Sequence, residues 1–437
     1  MRKVKKVYLC IPFLFLSLLT STNSQEREVS ERQLDEELKI FISRFRYAPT
    51  RVPSKKSVHL YNLGKSLFSD KKISMAGDTA CITCHQPNLG TGDGLPLSIG
   101  TGGKGDGLER KQGSGMTTLR NAPPLYNKTH PGFSRLFWDG RVQFKLKPKA
   151  FKTPNPNLNG EKPFFEDIVD QLENASAVQS LFPLINEIEM RGHQFSDLSD
   201  REVWDEILRR VLNRKSYQKM FQKAFPDENW NIGHVGKALA HFQDVEFTTR
   251  ETGWDSYLRG DTKALSLPEK RGALIFTSKG RCFMCHNGKH LTNFGFENII
   301  VPHLSLNKNF MDDGRRKINK RKGSAFQFLV PPLRNVGLTA PYFHNGSMTS
   351  LEDVITHYNE PIESINSYSA DKINELFGKN YHFSFISQYD EEAHKLLFRN
   401  ASRRLPLHLN LSQKEQRNLA LFLRKSLTEK RFLHMVQ

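Results

Sequence analysis

Cysteine is scarce in this chain: five residues out of 437. Cys10 falls in an N-terminal leader and the other four form two close pairs, so a disulfide framework is not expected. Long apolar runs are missing after Leu19. That excludes a later bilayer span, which needs roughly 20 apolar residues. Sustained alternation of apolar and polar residues is also missing, which argues against a sheet-dominated fold. Acid is outnumbered, with 46 Asp and Glu against 64 Lys and Arg, for a formal net charge of +18.

The chain opens with Met1-Arg2-Lys3-Val4-Lys5-Lys6, then an apolar run from Val7 to Leu19, then a polar Ser/Thr/Asn stretch. This is the pattern of a secretory leader, expected to span residues 1–24 with cleavage near Ser24. An uncleaved anchor is the competing reading. Cys10 sits early in the run, where a lipoprotein cysteine would sit at its end. Loss of the leader still leaves a strongly basic chain, which would steer an acidic protein partner by diffusion. An exported protein has little access to nucleic acid. The basic run Arg315-Arg316-Lys317 through Lys320-Arg321-Lys322 reads as a solvated loop, with docking of an acidic partner as the second reading. No feature of the sequence specifies an oligomeric state.

What the chain does contain is C-x-x-C-H, twice: Cys81-Ile82-Thr83-Cys84-His85 and Cys282-Phe283-Met284-Cys285-His286. Each run fits covalent attachment of a c-type haem, with two thioethers from the cysteines and the histidine as proximal iron ligand. One zinc site made from both cysteine pairs is the rival, but it leaves both histidines unexplained. A thiol-redox C-x-x-C needs no following histidine either.

The surroundings of the motifs repeat. Gly64-Lys65-Ser66-Leu67-Phe68 precedes the first and Gly272-Ala273-Leu274-Ile275-Phe276 the second. Leu119-Arg120-Asn121 and Leu333-Arg334-Asn335 follow them, each trailed by a similar turn at Phe137-Trp138-Asp139-Gly140 and Phe343-His344-Asn345-Gly346. A duplicated haem-bearing unit accounts for this. The periodicity is mainly helical: Leu34, Leu38, Phe41, Ile42 and Phe45 share one face, and Val203, Ile207, Leu208 and Val211 another. Ser266 to Glu269 and Ser412 to Glu415 read as capping boxes. Residues 86–118 look loop-like, and 360–405 lack clear organisation and read as an insertion.

The second axial position of a haem iron decides between electron transfer and chemistry. Here the sequence resembles the bacterial di-haem cytochrome c peroxidase and MauG superfamily, from about Leu60 to Leu427. Beyond the two haem motifs, the resemblance is carried by Ser98-Ile99-Gly100, Arg120-Asn121-Ala122-Pro123, Phe137-Trp138-Asp139-Gly140-Arg141 and Asn186-Glu187-Ile188-Glu189-Met190. Leu333-Arg334-Asn335-Val336 and Thr339-Ala340-Pro341-Tyr342-Phe343-His344-Asn345-Gly346 complete it. It implies a mainly α fold of two cytochrome-c-like domains, 25–232 with the peroxide-reacting haem c and 233–437 with the electron-transferring haem c.

The resemblance also assigns expected roles. Typical peroxidases follow Ser-Ile-Gly with a histidine that caps the first haem until activation. This chain has Thr101, which implies an open iron without an activation switch. Typical peroxidases ligate the second haem with a methionine fourteen residues after the position of His344, and this chain has Tyr358 there, as in MauG. Met348 and His357 compete for that role, and a core residue on a helix face is the other reading of Tyr358. Glu189 matches the carboxylate that moves the peroxide proton, although alone it would read as a solvated glutamate. Trp138 matches the tryptophan between the haems, and Asn121, Thr339 and Pro341 match a calcium site. The implied function is reduction of hydrogen peroxide with electrons from a partner redox protein or protein substrate, in a periplasmic setting. Oxidation of a partner's tryptophan is the MauG-like variant, and a non-enzymatic electron carrier is the alternative from another class.

Overall fold

The computed structural model describes residues 30–50, 57–226, 229–307, 310–387 and 391–436. The expected leader, with Cys10, lies outside them. Among the described residues no helix is long and apolar enough to cross a membrane. The fold is helix-rich, as the periodicity predicts, and the strands are two to four residues long. Arg135–Leu136, Val142–Lys145 and Ala150–Lys152 form one antiparallel meander, and Phe296–Glu297 pairs with Phe328–Leu329.

Two main cores organise the chain. In the first, helix Val58–Ser69 packs on helix Ile232–Glu246, and helices Asp200–Leu212 and Lys215–Ala224 close around them. The predicted stripe of Val203, Ile207, Leu208 and Val211 is buried there. In the second core, helix Leu267–Thr277 packs on helix Gln413–Leu421. Helix Glu31–Arg44, which precedes the first core in sequence, buries Leu34 and Leu38 in the second. The division expected at 232/233 falls at the start of helix Ile232–Glu246, whose buried face belongs to the first core.

The duplication is visible in the packing. A Cβ added at Gly64 would lie 2.1 Å from the Ala238 carbonyl oxygen and 2.7 Å from the Phe242 Cβ. A Cβ at Gly272 would lie 2.1 Å from the Asn418 carbonyl oxygen and 2.7 Å from the Phe422 Cβ. Each haem motif is thus approached by a helix whose glycine lets a partner helix cross at backbone contact. The boxes Ser266 to Glu269 and Ser412 to Glu415 cap helices Leu267–Thr277 and Gln413–Leu421 as predicted.

The segment 360–405 is organised after all, as helices Pro361–Asn366, Asp371–Phe377 and Glu391–Arg399. The first two have no side-chain N-cap bond, so the usual start signal is missing from their sequence. The segment builds two satellite cores. One joins Leu95, Leu97 and Ile99 to Ile373, Tyr381 and Phe385, and the other joins Ile300 and Phe326 to Ile365 and Leu397. The basic run is not simply solvated: Arg315 donates to the carbonyls of Asp139 (2.6 Å) and Gly140 (2.8 Å), and Arg316 pairs with Asp313 at 2.7 Å.

Candidate functional site

Cys81–Cys84 forms a single helical turn that ends at His85. The His85 Nδ1 lies 2.8 Å from the Thr91 carbonyl oxygen. His286 repeats the device, with Nδ1 2.9 Å from the Leu291 carbonyl oxygen. A ring whose Nδ1–H donates to a carbonyl presents Nε2 as an acceptor, the form an iron ligand needs. Burial pushes both imidazoles down, His286 to about 4, so they stay neutral near neutral pH. None of these four cysteines is in a disulfide. Among the described residues no three His, Cys, Asp or Glu side chains converge to hold a metal. The single zinc site therefore has no geometry, and each pair stays with its own histidine.

Beside the first motif two backbones are in contact. The Thr101 N–H donates to the carbonyls of Ile188 (3.0 Å) and Glu189 (3.1 Å). A Cβ at Gly100 would lie 1.7 Å from the Ile188 carbonyl oxygen, so only glycine fits this approach. The Thr101 hydroxyl donates to Asp78 at 2.9 Å, and the Gly102 N–H reaches the same carboxylate at 2.6 Å. Glu189 sits in one turn of π-helix, Glu187–Arg191, whose start is capped by Asn186. Among the described residues no group hydrogen-bonds its carboxyl. Burial pushes that carboxyl up from the usual range and Arg141 draws it partly back. Glu189 lies close enough to Cys84 to help raise the thiol pKa.

The second motif opens into an interior cavity of about 220 Å³. Cys282, Cys285 and His286 line it, and so do Tyr358, Trp138 and Leu423. Burial, then the nearby Cys285, push the Tyr358 phenol far above its usual value. Of its competitors, His357 has both ring nitrogens engaged, Nε2 with the Ile299 carbonyl (2.8 Å) and Nδ1 with the Ser364 hydroxyl (3.0 Å). Met348 is buried, and its carbonyl accepts from the Tyr342 N–H at 2.6 Å. The cavity also holds Lys128, which has no carboxylate partner among the described residues and is pushed down to about 8 by burial. A largely apolar cavity with paired thiols, a neutral histidine, a phenol and the cations Lys128 and Arg281 for propionates fits a haem c.

Trp138 lines this cavity and donates its indole N–H to the Asn121 carbonyl at 2.9 Å. The Asn121 N–H in turn donates to the His344 carbonyl at 2.8 Å. Asn121, Thr339 and Pro341, the three expected calcium ligands, all line this cavity. The Asn121 side chain N–H donates to the Leu95 carbonyl at 2.7 Å, which orients its amide oxygen away from that bond.

Sequence reasoning missed the residues that fix these parts. Arg120 bridges Asp139 (2.7 Å) and Asp312 (2.5 Å), tying the Trp138 turn to the second half of the chain. Arg110 is wholly buried and donates to the carbonyls of Ile99, Gly100 and Gly105. Asp93 is buried beside Cys84 and pushed up to about 6 by burial. None sits at a spacing that announces a contact. Only Arg120, inside the repeated Leu-Arg-Asn triplet, left a signal.

Comparison with known proteins agrees with this geometry. A family model described as "Di-haem cytochrome c peroxidase" matches residues 59–263. Cytochrome c551 peroxidase of Pseudomonas aeruginosa is 30% identical over 298 residues, covering 67% of this chain and 69% of that protein. Methylamine utilization protein MauG of Methylorubrum extorquens is 30% identical over 325 residues, covering 72% and 74%. A solved MauG-like protein associated with microbial copper homeostasis shares the fold with a TM-score of 0.60 at 24% identity, over 89% of this chain and 96% of that one. The diheme peroxidase BthA from Burkholderia thailandensis shares it at a TM-score of 0.57 and 18% identity, over 89% and 90%. With its paired C-x-x-C-H motifs, the chain belongs to the di-haem cytochrome c peroxidase and MauG family of oxidoreductases, which implies two c-type haems.

Proposed function

We propose that this chain is an exported, periplasmic di-haem c peroxidase. Hydrogen peroxide is reduced on the N-terminal side, and electrons enter on the C-terminal side from a partner redox protein or protein substrate. Cys81, Cys84 and His85 hold one haem and Cys282, Cys285, His286 and Tyr358 the other. Between them these haems supply an iron that binds peroxide and an iron that stores and passes electrons. The units are an N-terminal one, with helix Ile232–Glu246, and a C-terminal one.

Glu189 is the acid–base group. Its carboxylate takes the proton from the near oxygen of peroxide and delivers it to the leaving oxygen, and a raised pKa suits that exchange. Thr101 leaves the distal side open because Asp78 holds its hydroxyl. Trp138 lies along the route between the two sites, and Asn121, Thr339 and Pro341 would hold a calcium ion, which would stiffen it. The observation that carries the reading is the unpaired Glu189 carboxyl beside Cys84, backed by a loop whose threonine is bound elsewhere. Tyr358 in the second cavity favours the MauG-like variant, in which the electron donor is an oxidisable residue of a partner protein.

Electron paramagnetic resonance of the purified ferric protein, before and after peroxide, tests this. A high-spin signal that peroxide removes is expected. A wholly low-spin spectrum, unchanged by peroxide, would return the chain to simple electron carriage.

A further inference from the structure

Three aromatic side chains lead away from the second haem motif. The Tyr47 hydroxyl donates to the carbonyl of His286 itself, at 3.0 Å. Its ring lies edge-on to Trp254, with centroids 6.0 Å apart. Trp254 stacks on Tyr257 at 5.6 Å and 10°. All three are buried, and the indole N–H of Trp254 has no partner among the described residues. The Tyr257 hydroxyl donates to Asp35 at 2.6 Å. Lys270 is almost fully buried, lies 3.0 Å from that carboxylate and sits 5.8 Å above the Tyr257 ring. The far end meets a surface cavity of about 550 Å³ between helices Glu31–Arg44 and Gly253–Leu258. Tyr47 and Tyr257 both line it, with apolar Ile42 and Leu258 and the exposed cations Lys39 and Arg46.

We propose that Tyr47, Trp254 and Tyr257 form an electron route from this cavity to the second haem, and that the cavity admits small anionic phenols as reductants. Tyrosine and tryptophan are the readily oxidised aromatic side chains, and here the rings succeed one another within contact range. Tyr257 gives one electron through Trp254 and Tyr47 toward the second haem, where it replaces an electron withdrawn by peroxide. Its phenolic proton moves to Asp35. Lys270, a cation 3.0 Å from Asp35, pairs with this acceptor and opposes a positive charge on the ring, so the product is a neutral phenoxyl. A phenol in the cavity then returns one electron while Asp35 returns the proton to Tyr257. The phenol gives its own hydroxyl proton to solvent and leaves as a neutral phenoxyl radical, and the two protons that complete the two waters are taken from solvent. Two passes supply the two electrons that convert one peroxide to two waters. Lys39 and Arg46 select for a carboxylate on that phenol, and Ile42 and Leu258 for its ring.

The inference rests on the peroxidase reading, and one experiment separates the two. The di-haem protein is frozen at short times after peroxide and its radical signal recorded, with the haem absorption as control and para-hydroxyphenylacetate as donor. The wild type is expected to give a tyrosyl signal that the donor quenches. Tyr257→Phe and Trp254→Phe are expected to lose both the signal and donor oxidation, and Asp35→Asn to delay the signal. Haems that respond to peroxide while the tyrosyl signal persists in Tyr257→Phe would overturn the route alone. Haems that ignore peroxide in the wild type would overturn the peroxidase reading, and the route with it. Should the Phe variants fail to fold, an undelayed signal in Asp35→Asn overturns the route.

Discussion

The carboxyl of Glu189 is raised by burial, and that sets a pH dependence. The group must be ionised to accept the peroxide proton, so the rate should be low in acid and rise with pH through a value above the usual carboxylate range. Glu189→Gln cannot accept the proton and should slow the reaction by roughly 10²–10⁴-fold, the usual weight of general acid–base catalysis. Stopped-flow traces of haem absorption against pH check both statements, and a variant with wild-type kinetics refutes the assignment. Tyr358 carries a second expectation. A phenolate stabilises ferric iron more than a thioether does, so Tyr358→Met should raise the potential of the second haem and remove any tyrosinate absorption band. Redox titration reads the first effect, and an unmoved potential would mean that Tyr358 is only a wall of the cavity.

At the scale of elements, the loop 98–105 is held from several directions. Arg110 binds its carbonyls, Asp78 its threonine, and the Glu189 turn its backbone. The insertion adds Tyr381, whose hydroxyl donates to the Leu97 carbonyl at 2.6 Å, and Asn380, whose amide donates to the carbonyls of Leu108 and Arg110 at 2.8 Å. A loop so held is fixed against its neighbours, which, on the proposed reading, suits an iron face that needs no opening step. Tyr381→Phe leaves the buried Leu97 carbonyl without its partner and should cost about 1–3 kcal/mol. Denaturant melting gives that loss. Hydrogen exchange in residues 95–105 should speed up, and unchanged exchange would show that the insertion does not stiffen the loop.

This brace was not legible in the sequence. The haem motifs were, because covalent and iron chemistry fix residue types at fixed spacing. The helical stripes and capping boxes were, because their partners lie within a few residues. Tyr381 and Leu97 are far apart in the chain and meet only through tertiary packing, as do Arg120 and Asp312. The placement of helix Glu31–Arg44 in the second core is of the same kind: its periodicity announces a buried face but not what buries it.

Over the whole molecule, two arginines, Arg334 buried and Arg120 half-buried, tie distant parts of the chain. Arg334 joins Asp255 at 2.7 Å, both fully buried, and donates to the carbonyls of Ala48 and Lys289. Arg120 holds Asp139 and Asp312. For Asp312 the Arg120 bond, and for Asp139 the charges of Arg141 and Arg120, outweigh burial and lower both carboxyls. A carboxylate with a depressed folded pKa stabilises the fold above its unfolded value, about pH 4, and loses that contribution as pH falls through the folded value. Below about pH 4 the two halves should therefore loosen before the covalent haem links are affected. Arg120→Met would strand the buried carboxylate of Asp312, while Asp139 keeps Arg141 at 3.2 Å, at a cost of about 3–5 kcal/mol. Because stranded carboxyls are easier to protonate, the variant should recover part of the deficit as the medium is acidified, the opposite of the wild type. Melting temperature against pH separates the cases: a wild-type curve that falls toward acid and a variant curve that flattens there are expected. Parallel curves would mean that Arg120 does not link Trp138 to the second half through charge.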